Sequence, residues 1–260
     1  MEPLLCAEHI TVCYNGIPVV QDVSFQVEQG EILGIVGESG SGKSTIVRAV
    51  LGILGENGMV TRGDIWYKGE NLTDMPGGTR RKYLGPEIGM VFQDCKASFC
   101  PVRTVGAQIH EAVSAHEKIK KSETKKRAAE IMKKIGLPDY ERVWNSYPFE
   151  LSGGMNQRVG ICTAMMMNPR LLLADEPTSA LDVTVQKQVA DELLFMREEY
   201  HTAMILVTHN IGLVKKMADK ILILKDGRVR DYGETGEVLE HSCDAYTRKL
   251  MDSVLSLKRD

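Results

Sequence analysis

An α/β fold with a mostly parallel central sheet is predicted for this chain by three observations. Short apolar runs that suit strands buried on both faces occur at 32–36, 88–92, 171–174, 204–207 and 221–224. The first run leads into a glycine-rich loop and then into a helix, which is the βα unit of a parallel sheet. The residues before this unit alternate between apolar and polar types, which is typical of antiparallel strands.

Two further regions complete the predicted architecture. At the N-terminus, Asn15 and Gly16 are expected to turn the chain between two strands of an antiparallel β-subdomain. Beyond the run at 88–92 the apolar spacing becomes helical, with Ser122 as the expected N-cap of one helix and Gly136 just past its end. We therefore predict one domain over 1–260, with an α/β core from 1–97 and 161–260 and an inserted α-helical subdomain over 98–160.

Composition excludes several classes of protein. The chain has 260 residues, of which 43% are apolar and 26% are charged, and its net charge of −3 gives no bulk attraction to nucleic acid or anionic lipid. No stretch approaches the roughly 18 apolar residues that span a bilayer. The N-terminus lacks the basic and apolar segments of a secretion signal. We therefore expect a partner to supply any membrane-crossing function.

The cysteines and the lysine-rich run give only weak support for a metal site or a nucleic-acid site. Cys95 and Cys100 form the only close pair among the six cysteines, and no histidine or third thiol lies at ligand spacing from them. The run 118–134 is rich in lysine, but glutamates interrupt it and it contains no aromatic residue. This pattern favours a solvated helix face, so we expect no nucleic-acid partner.

A phosphate-binding loop is predicted where the first parallel strand meets its helix. The segment GESGSGKS has the pattern G-x-x-x-x-G-K-[ST], in which backbone N–H groups and a helix N-terminus surround phosphates. In this pattern the lysine, Lys43, reaches the β- and γ-phosphates, and the serine, Ser44, binds Mg²⁺. A plain glycine-rich turn would not require all of these positions. The predicted nucleotide-binding residues here are Gly37, Glu38, Ser39, Gly40, Ser41, Gly42, Lys43, Ser44 and Thr45.

Two acidic residues follow the apolar run at 171–174. Asp175 is expected at the carboxyl edge of the parallel sheet, where it can hold Mg²⁺ directly or through water. Glu176 comes next and can act as a general base toward the γ-phosphate or orient the attacking water. Without other evidence, two acidic residues at this position could equally well serve only to solvate the end of a strand. The phosphate loop elsewhere in the chain favours the catalytic interpretation.

The segment Leu151-Ser-Gly-Gly-Met155 separates the remaining classes of nucleoside triphosphatase. The guanine-reading Asn-Lys-x-Asp of a GTPase does not occur, and no arginine-rich lid of a nucleoside kinase is evident. Ser152 and two glycines precede a predicted helix, so they form a second anion-binding helix N-terminus. One chain rarely needs two such sites unless the second serves a nucleotide that a neighbouring chain holds.

In these motifs the chain resembles the ATP-binding cassette (ABC) family, whose signature is of the LSGGQ type. The other family motifs occur in order: Gln93 in MVFQD is similar to the Q-loop, 179–182 to the D-loop, and His209 in LVTHN to the switch histidine. Tyr14 fits the aromatic residue that stacks on adenine, although it also suits a half-buried strand position, and His209 also suits a packed core histidine.

The resemblance implies a role for each of these residues. It implies ATP and Mg²⁺ as cofactors, Glu176, His209, Gln93 and Lys43 as catalytic residues, and Ser44, Gln93 and Asp175 as metal ligands. It further implies that nucleotide is bound by the loop residues named above together with Tyr14, Gln93, Asp175, Ser152, Gly153 and Gly154.

Within the family, the chain resembles the oligopeptide, dipeptide and nickel importer branch. The resemblance rests on 174–186, on 90–109 and on the ending DAYTRKL, and the segment 55–72, interpreted as a loop, resembles the D-type subunit of D/F ATPase pairs. Two departures, around Cys95 and at Phe149, lie near the surface expected to meet a permease. The chain stops near Leu257 without a cysteine-bearing extension, which is similar to short nickel- or metallophore-type members.

The resemblance implies an ATP-hydrolysing motor subunit of an importer at the cytoplasmic face of the membrane. Its implied partners are a second ABC ATPase (an F-type chain or a second copy of this one), two transmembrane permeases and, indirectly, an extracytoplasmic substrate-binding protein. The alternative is a soluble ABC ATPase that acts on DNA or ribosomes.

Overall fold

The computed structural model describes residues 2–179 and 181–256. Ala180, in the predicted D-loop, and Leu257, named in the comparison with short family members, lie outside the described residues. Contacts divide the chain into two compact units, one formed by 1–80 with 203–260 and the other by 81–202. The bounds of the helical subdomain, 98–160, stay a prediction.

The five apolar runs form strands, and most of the helices lie between these runs. The strands are β1 (Leu5–Tyr14), β2 (Ile17–Val27), β3 (Ile32–Val36), β4 (Gly58–Tyr67), β5 (Glu70–Asn71), β6 (Ile88–Val91), β7 (Leu171–Asp175), β8 (Ala203–Thr208), β9 (Lys220–Lys225) and β10 (Arg228–Glu234). The helices are α1 (Lys43–Leu51), α2 (Gly77–Arg80), α3 (Cys95–Ser98), α4 (Val105–Ser114), α5 (Lys121–Lys134), α6 (Tyr140–Asn145), α7 (Gly153–Met165), α8 (Val183–Tyr200), α9 (Ile211–Met217), α10 (Thr235–His241) and α11 (Ala245–Ser256), with a 3₁₀ turn at Pro148–Glu150.

The N-terminal strands form the predicted antiparallel sheet, in the order β2-β1-β4-β5. Asn15 and Gly16 both have positive φ, 51° and 77°, which matches a two-residue hairpin turn and confirms the predicted turn. The interpretation of 55–72 as a loop is wrong, because β4 and β5 lie there. The strand β4 has no continuous apolar run, because it is only partly buried. It is defined by its pairing with β1.

The parallel strands confirm the predicted sheet. In the first unit β3 lies between β8 and β9, pairs in parallel with both, and is fully buried, while β10 pairs antiparallel with β9. In the second unit β6 and β7 pair in parallel, with Ile88 opposite Leu171. All five predicted apolar runs form strands, because strands covered on both faces need continuous apolar sequence.

Residues 98–160 contain helices and no strand, and all of them are described. Helix α5 begins earlier than predicted, and Ser122 is not its N-cap. Lys120 holds that position without a side-chain cap, because the buried Thr124 ties the first turn down by bonding the Lys120 carbonyl and the His110 ring. Gly136 has the predicted position past the end of α5, with φ 71°. No helix in the described part of the chain is long and apolar enough to cross a membrane.

Candidate functional site

The predicted phosphate loop connects β3 to α1. Gly37 lies so close to β9 that a Cβ there would be 2.1 Å from the Leu224 carbonyl oxygen, so only glycine fits. Gly40 and Gly42 have φ of 81° and 102°, and Gly42 is the N-cap of α1. No side chain caps this helix. Its first N–H groups therefore face the loop, as an anion site at a helix N-terminus requires.

Lys43 is folded back into this loop. Its side chain is 5% exposed, and its Nζ donates hydrogen bonds to the carbonyl oxygens of Gly37 and Glu38, each at 2.9 Å. The hydroxyl of Ser41 is buried and has no hydrogen-bond partner within the described chain. A buried cation and an unpartnered hydroxyl in a loop of glycines fit the phosphates of a nucleotide.

His209 follows β8, the strand beside β3. Val36 lies opposite Thr208 in the parallel register, so the phosphate loop and His209 leave the sheet at the same edge. His209 is exposed. Asn210 caps α9 by accepting the Leu213 N–H at 3.1 Å, which keeps the turn after His209 short.

A second pair of neighbouring strand ends brings together Gln93, Asp175 and Glu176. Val91 lies opposite Ala174 in the β6–β7 register, so these three residues leave the same edge of the pair. Gln93 is exposed, whereas Asp175 is only 6% exposed. Backbone strain marks Glu176, which has φ 45° although it is not glycine. Such strain is concentrated at functional sites.

Tyr14 lies at the end of β1 opposite Gly58 of β4. Its ring is half-buried, and a Cβ on Gly58 would be 2.7 Å from Tyr14 Cε1. The hydroxyl is buried and has no hydrogen-bond partner among the residues that the structure describes. The ring therefore packs against β4, and its stacking on adenine stays a prediction.

The signature segment forms the N-terminus of α7, as predicted. Ser152 is the N-cap, and its Oγ accepts the Met155 N–H at 3.2 Å. Gly153 and Gly154 are the first residues of the helix, and Ser152 and Gly153 are exposed. Exposed N–H groups at a capped helix end can receive an anion from outside this unit.

Two residues that the sequence reasoning missed hold this segment in place. Asn156 is 1% exposed, and its Nδ2 lies 2.9 Å from the carbonyl oxygen of Pro148 and 3.2 Å from those of Leu151 and Ser152. Arg158 pairs with Glu192 of α8 at 2.7 Å. Polar residues within an otherwise apolar helix were the only signal available in the sequence.

Helix α8 supports α7 from one side along much of its length. A Cβ on Gly154 would be 2.9 Å from Val185, and Arg158 Nη2 donates to Gln188 at 2.9 Å. Asp182 caps α8 by accepting the Val185 N–H at 3.0 Å. Burial outweighs the Arg158 charge and raises the pKa of Glu192 to about 7. The signature helix and the helix after the D-loop are therefore packed closely and joined by an ion pair.

Cys95 and Cys162 are buried in the packing of the second unit. Cys95 is buried against α7, where a Cβ on Gly160 would be 2.3 Å from its sulfur, and burial raises its pKa to about 12. Burial likewise raises the pKa of Cys162 to about 12. Within the described residues, no three His, Cys, Asp or Glu side chains are arranged to hold a metal ion.

The sequence also matches a known family. A family model described as ABC transporter matches residues 20–179, which is more than half of the chain. The chain belongs to the ABC transporter family.

Curated relatives of this ABC protein cover nearly its whole length. It is 39% identical to the oligopeptide transport ATP-binding protein AmiE of Streptococcus pneumoniae over 94% of this chain and 69% of AmiE. It is 39% identical to the dipeptide transport ATP-binding protein DppD of Escherichia coli over 93% of this chain and 74% of DppD. It is 36% identical to the metal-staphylopine import system ATP-binding protein CntD of Staphylococcus aureus over 96% of this chain and 93% of CntD.

Solved structures give the same fold. The ATP-binding cassette MJ0796, a dimer in a post-hydrolysis state bound to ADP and Pi, is similar with a TM-score of 0.78 and 30% identity, over 89% of this chain and 98% of that one. The protein cbiO1 of Clostridium perfringens, part of the transporter complex cbiONQ, is similar with a TM-score of 0.79 and 26% identity, over 100% of this chain and 96% of that one. The predicted α/β fold is confirmed by these two structures.

Proposed function

We propose that this ABC protein is the ATP-hydrolysing motor subunit of an import system. It couples ATP hydrolysis to the uptake of a peptide, nickel or a metal chelate through partner permeases. The observation that carries the proposal is the phosphate loop, in which Lys43 is buried among glycines at the N-terminus of α1. Two facts support it: MJ0796 was solved with ADP and Pi, and the curated relatives serve oligopeptide, dipeptide and metal-staphylopine transport.

The chemistry that we assign to the site is hydrolysis of the γ-phosphate. The Glu176 carboxylate accepts a proton from water as the water oxygen bonds to the γ-phosphorus. The bond from that phosphorus to the bridging oxygen breaks, and its electron pair leaves with ADP. Lys43 stabilises the negative charge on the transferred group, while His209 and Gln93 contact the γ-phosphate and the attacking water.

The remaining site residues bind and position the nucleotide. In our proposal Tyr14 stacks on adenine, and the residues from Gly37 to Thr45 surround the phosphates. Oxygen atoms suit Mg²⁺, and the proposed ligands are Ser44, Gln93 and Asp175. The ion would neutralise charge between the β- and γ-phosphates.

The signature segment at Ser152–Gly154 implies a second ATPase subunit. It is an exposed helix N-terminus that fits a phosphate carried by another chain. We propose an F-type ATPase or a second copy of this chain as that partner, together with two permeases and an extracytoplasmic binding protein, at the cytoplasmic face of the membrane. No feature of the described residues favours the alternative of action on DNA or ribosomes.

The test of the motor function is Glu176→Gln in the assembled transporter. We expect ATP affinity to be retained and turnover to fall by roughly 10²–10⁴-fold, because only the proton acceptor is lost. The matched control is Glu198→Gln, which removes the same charge from an exposed position on α8. Equal turnover in the Glu176 variant and the parent would remove Glu176 from this role. The substrate would be identified by finding the ligand that the extracytoplasmic binding protein carries and by measuring its uptake.

A further inference from the structure

We propose that Tyr246 is a positioning residue for the phosphate loop, acting from the C-terminal helix α11. Its hydroxyl oxygen accepts a hydrogen bond from the backbone N–H of Glu38, at 3.2 Å. Glu38 is the second residue of the loop, so this contact joins two segments that are 208 residues apart. The expected effect on nucleotide binding rests on the proposed function, whereas the contact between Tyr246 and Glu38 does not depend on that function.

The bond acts on a single peptide group, the one between Gly37 and Glu38. The N–H of this group donates to Tyr246, while its carbonyl oxygen accepts the Lys43 Nζ at 2.9 Å. Gly37 lies close against β9, since a Cβ there would be 2.1 Å from the Leu224 carbonyl oxygen. The two bonds therefore set the orientation of the peptide plane. A peptide group bonded at both ends is also polarised, which strengthens its hold on the ammonium group.

Tyr246 is itself firmly placed. It is 8% exposed and belongs to an apolar cluster with Val36, the last residue before the phosphate loop, and with Ile223 of β9. The Lys225 ammonium lies over its ring, 4.6 Å from the ring centre. Burial raises the pKa of Tyr246, so its hydroxyl stays protonated at neutral pH. A neutral, immobile hydroxyl suits an acceptor for a backbone N–H.

The start of α11 is anchored by a small network of side chains. Asp244 Oδ1 accepts the N–H groups of Tyr246 and Thr247 at 2.8 and 3.0 Å. Asp231 of β10 accepts hydrogen bonds from the hydroxyls of Ser242 and Thr247. These contacts fix the first turn of α11 against β10. The placement of the Tyr246 hydroxyl therefore depends on the contacts between α11 and β10.

The experiment compares Tyr246→Phe with Tyr232→Phe in the purified chain. Tyr246→Phe keeps the ring and its packing but leaves the Glu38 N–H without its acceptor. The matched control, Tyr232→Phe, also removes one bonded hydroxyl, which contacts the backbone of Gln26 on β2 at 3.1 and 3.2 Å. We expect Tyr246→Phe to weaken MgATP and magnesium triphosphate equally, by about 3- to 10-fold, because the lost bond orders the phosphate loop. The control should bind both ligands like the parent.

Hydrogen exchange of the Glu38 amide without nucleotide provides the second measurement. We expect exchange to be faster in Tyr246→Phe than in the parent and unchanged in Tyr232→Phe. Unchanged exchange or unchanged binding in Tyr246→Phe would overturn the proposal, and so would equal losses in both variants. If the parent itself does not bind MgATP, the proposed function fails, while the exchange rates still decide whether Tyr246 orders the loop.

Discussion

Two helix N-termini in this protein have similar glycine-rich sequences but differ in backbone conformation, in capping and in the position of a cationic side chain. At the phosphate loop, Gly40 and Gly42 have positive φ, the Lys43 ammonium is buried inside, and no side chain caps α1. At the signature segment, the glycines are helical, Ser152 caps α7, and the described contacts place no cation against Ser152.

The two segments differ in what each can offer to a phosphate group. The phosphate loop supplies backbone donors, a cation and a concave shape from one stretch of chain. The signature segment supplies donors on an exposed helix end, which the contacts of Asn156 and Arg158 hold in place. Gly40 and Gly42 are needed in the first site for their positive φ, whereas Gly154 is needed in the second for its close packing on Val185.

Substitution of Ser152 by Asp should have the largest effect. Aspartate caps helices as well as serine does, so the fold should be retained, but its charge would repel a phosphate. We expect turnover of the assembled transporter to fall by roughly 10²–10³-fold, the size of a lost stabilising donor. Nucleotide affinity of the isolated chain should not change. Ser152→Thr, which keeps the cap without the charge, is the control, and full turnover in Ser152→Asp would contradict a phosphate-binding role for this helix end.

Removal of the Lys43 ammonium group from the phosphate loop should have the second largest effect. Lys43→Met keeps the length of the side chain and deletes the ammonium group. We expect the Kd for MgATP of the isolated chain to rise by roughly 10- to 100-fold, since a hydrogen bond to a charged group contributes about 1.5–3 kcal/mol. Isothermal titration calorimetry measures it, with Lys187→Met on α8 as the control. Unaltered affinity would show that the loop binds phosphate without its cation.

The rigidity of the second site is tested with Asn156→Ala. The buried amide contacts three backbone carbonyls, which would be left without this donor. We expect the free energy of unfolding to fall by about 1–3 kcal/mol. Asn145→Ala, which removes an exposed amide bonded to the Glu141 carbonyl at 2.8 Å, should cost less. Equal losses in urea denaturation would mean that Asn156 adds nothing specific to the signature segment.

A smaller effect, on pH dependence, is expected at the Arg158–Glu192 pair. Burial raises the pKa of Glu192 from 4.5 to about 7, so the folded state holds this proton more tightly than the unfolded state. The contribution to stability is therefore complete below pH 4.5 and is lost as pH rises toward 7. The slope is at most about −1.4 kcal/mol per pH unit. In Glu192→Gln the free energy of unfolding should lack this dependence on pH, because glutamine does not titrate. Urea denaturation of parent and variant at several pH values measures it, and the same pH dependence in both would contradict the raised pKa.

Local sequence predicted much of the fold because its signals are local. Fully buried strands need continuous apolar runs, and a phosphate loop needs its glycines and lysine at set spacing, so β3 and α1 were predicted from their own residues. The partly buried strand β4 and the start of α5 were not. Pairing with β1 defines β4, and contacts of Thr124 with His110 extend α5. Neither partner is near in sequence.

From the sequence alone it was therefore possible to predict the fold class, the strands of the five apolar runs, and the phosphate loop and signature segment at helix N-termini. Tertiary structure decided what holds those motifs in place. Asn156 bonds carbonyls outside its helix turn, Arg158 reaches α8, and Tyr246 reaches the Glu38 N–H across 208 residues. The physical reason is that a motif encodes its own backbone geometry, whereas a supporting hydrogen bond depends on where the rest of the chain has folded.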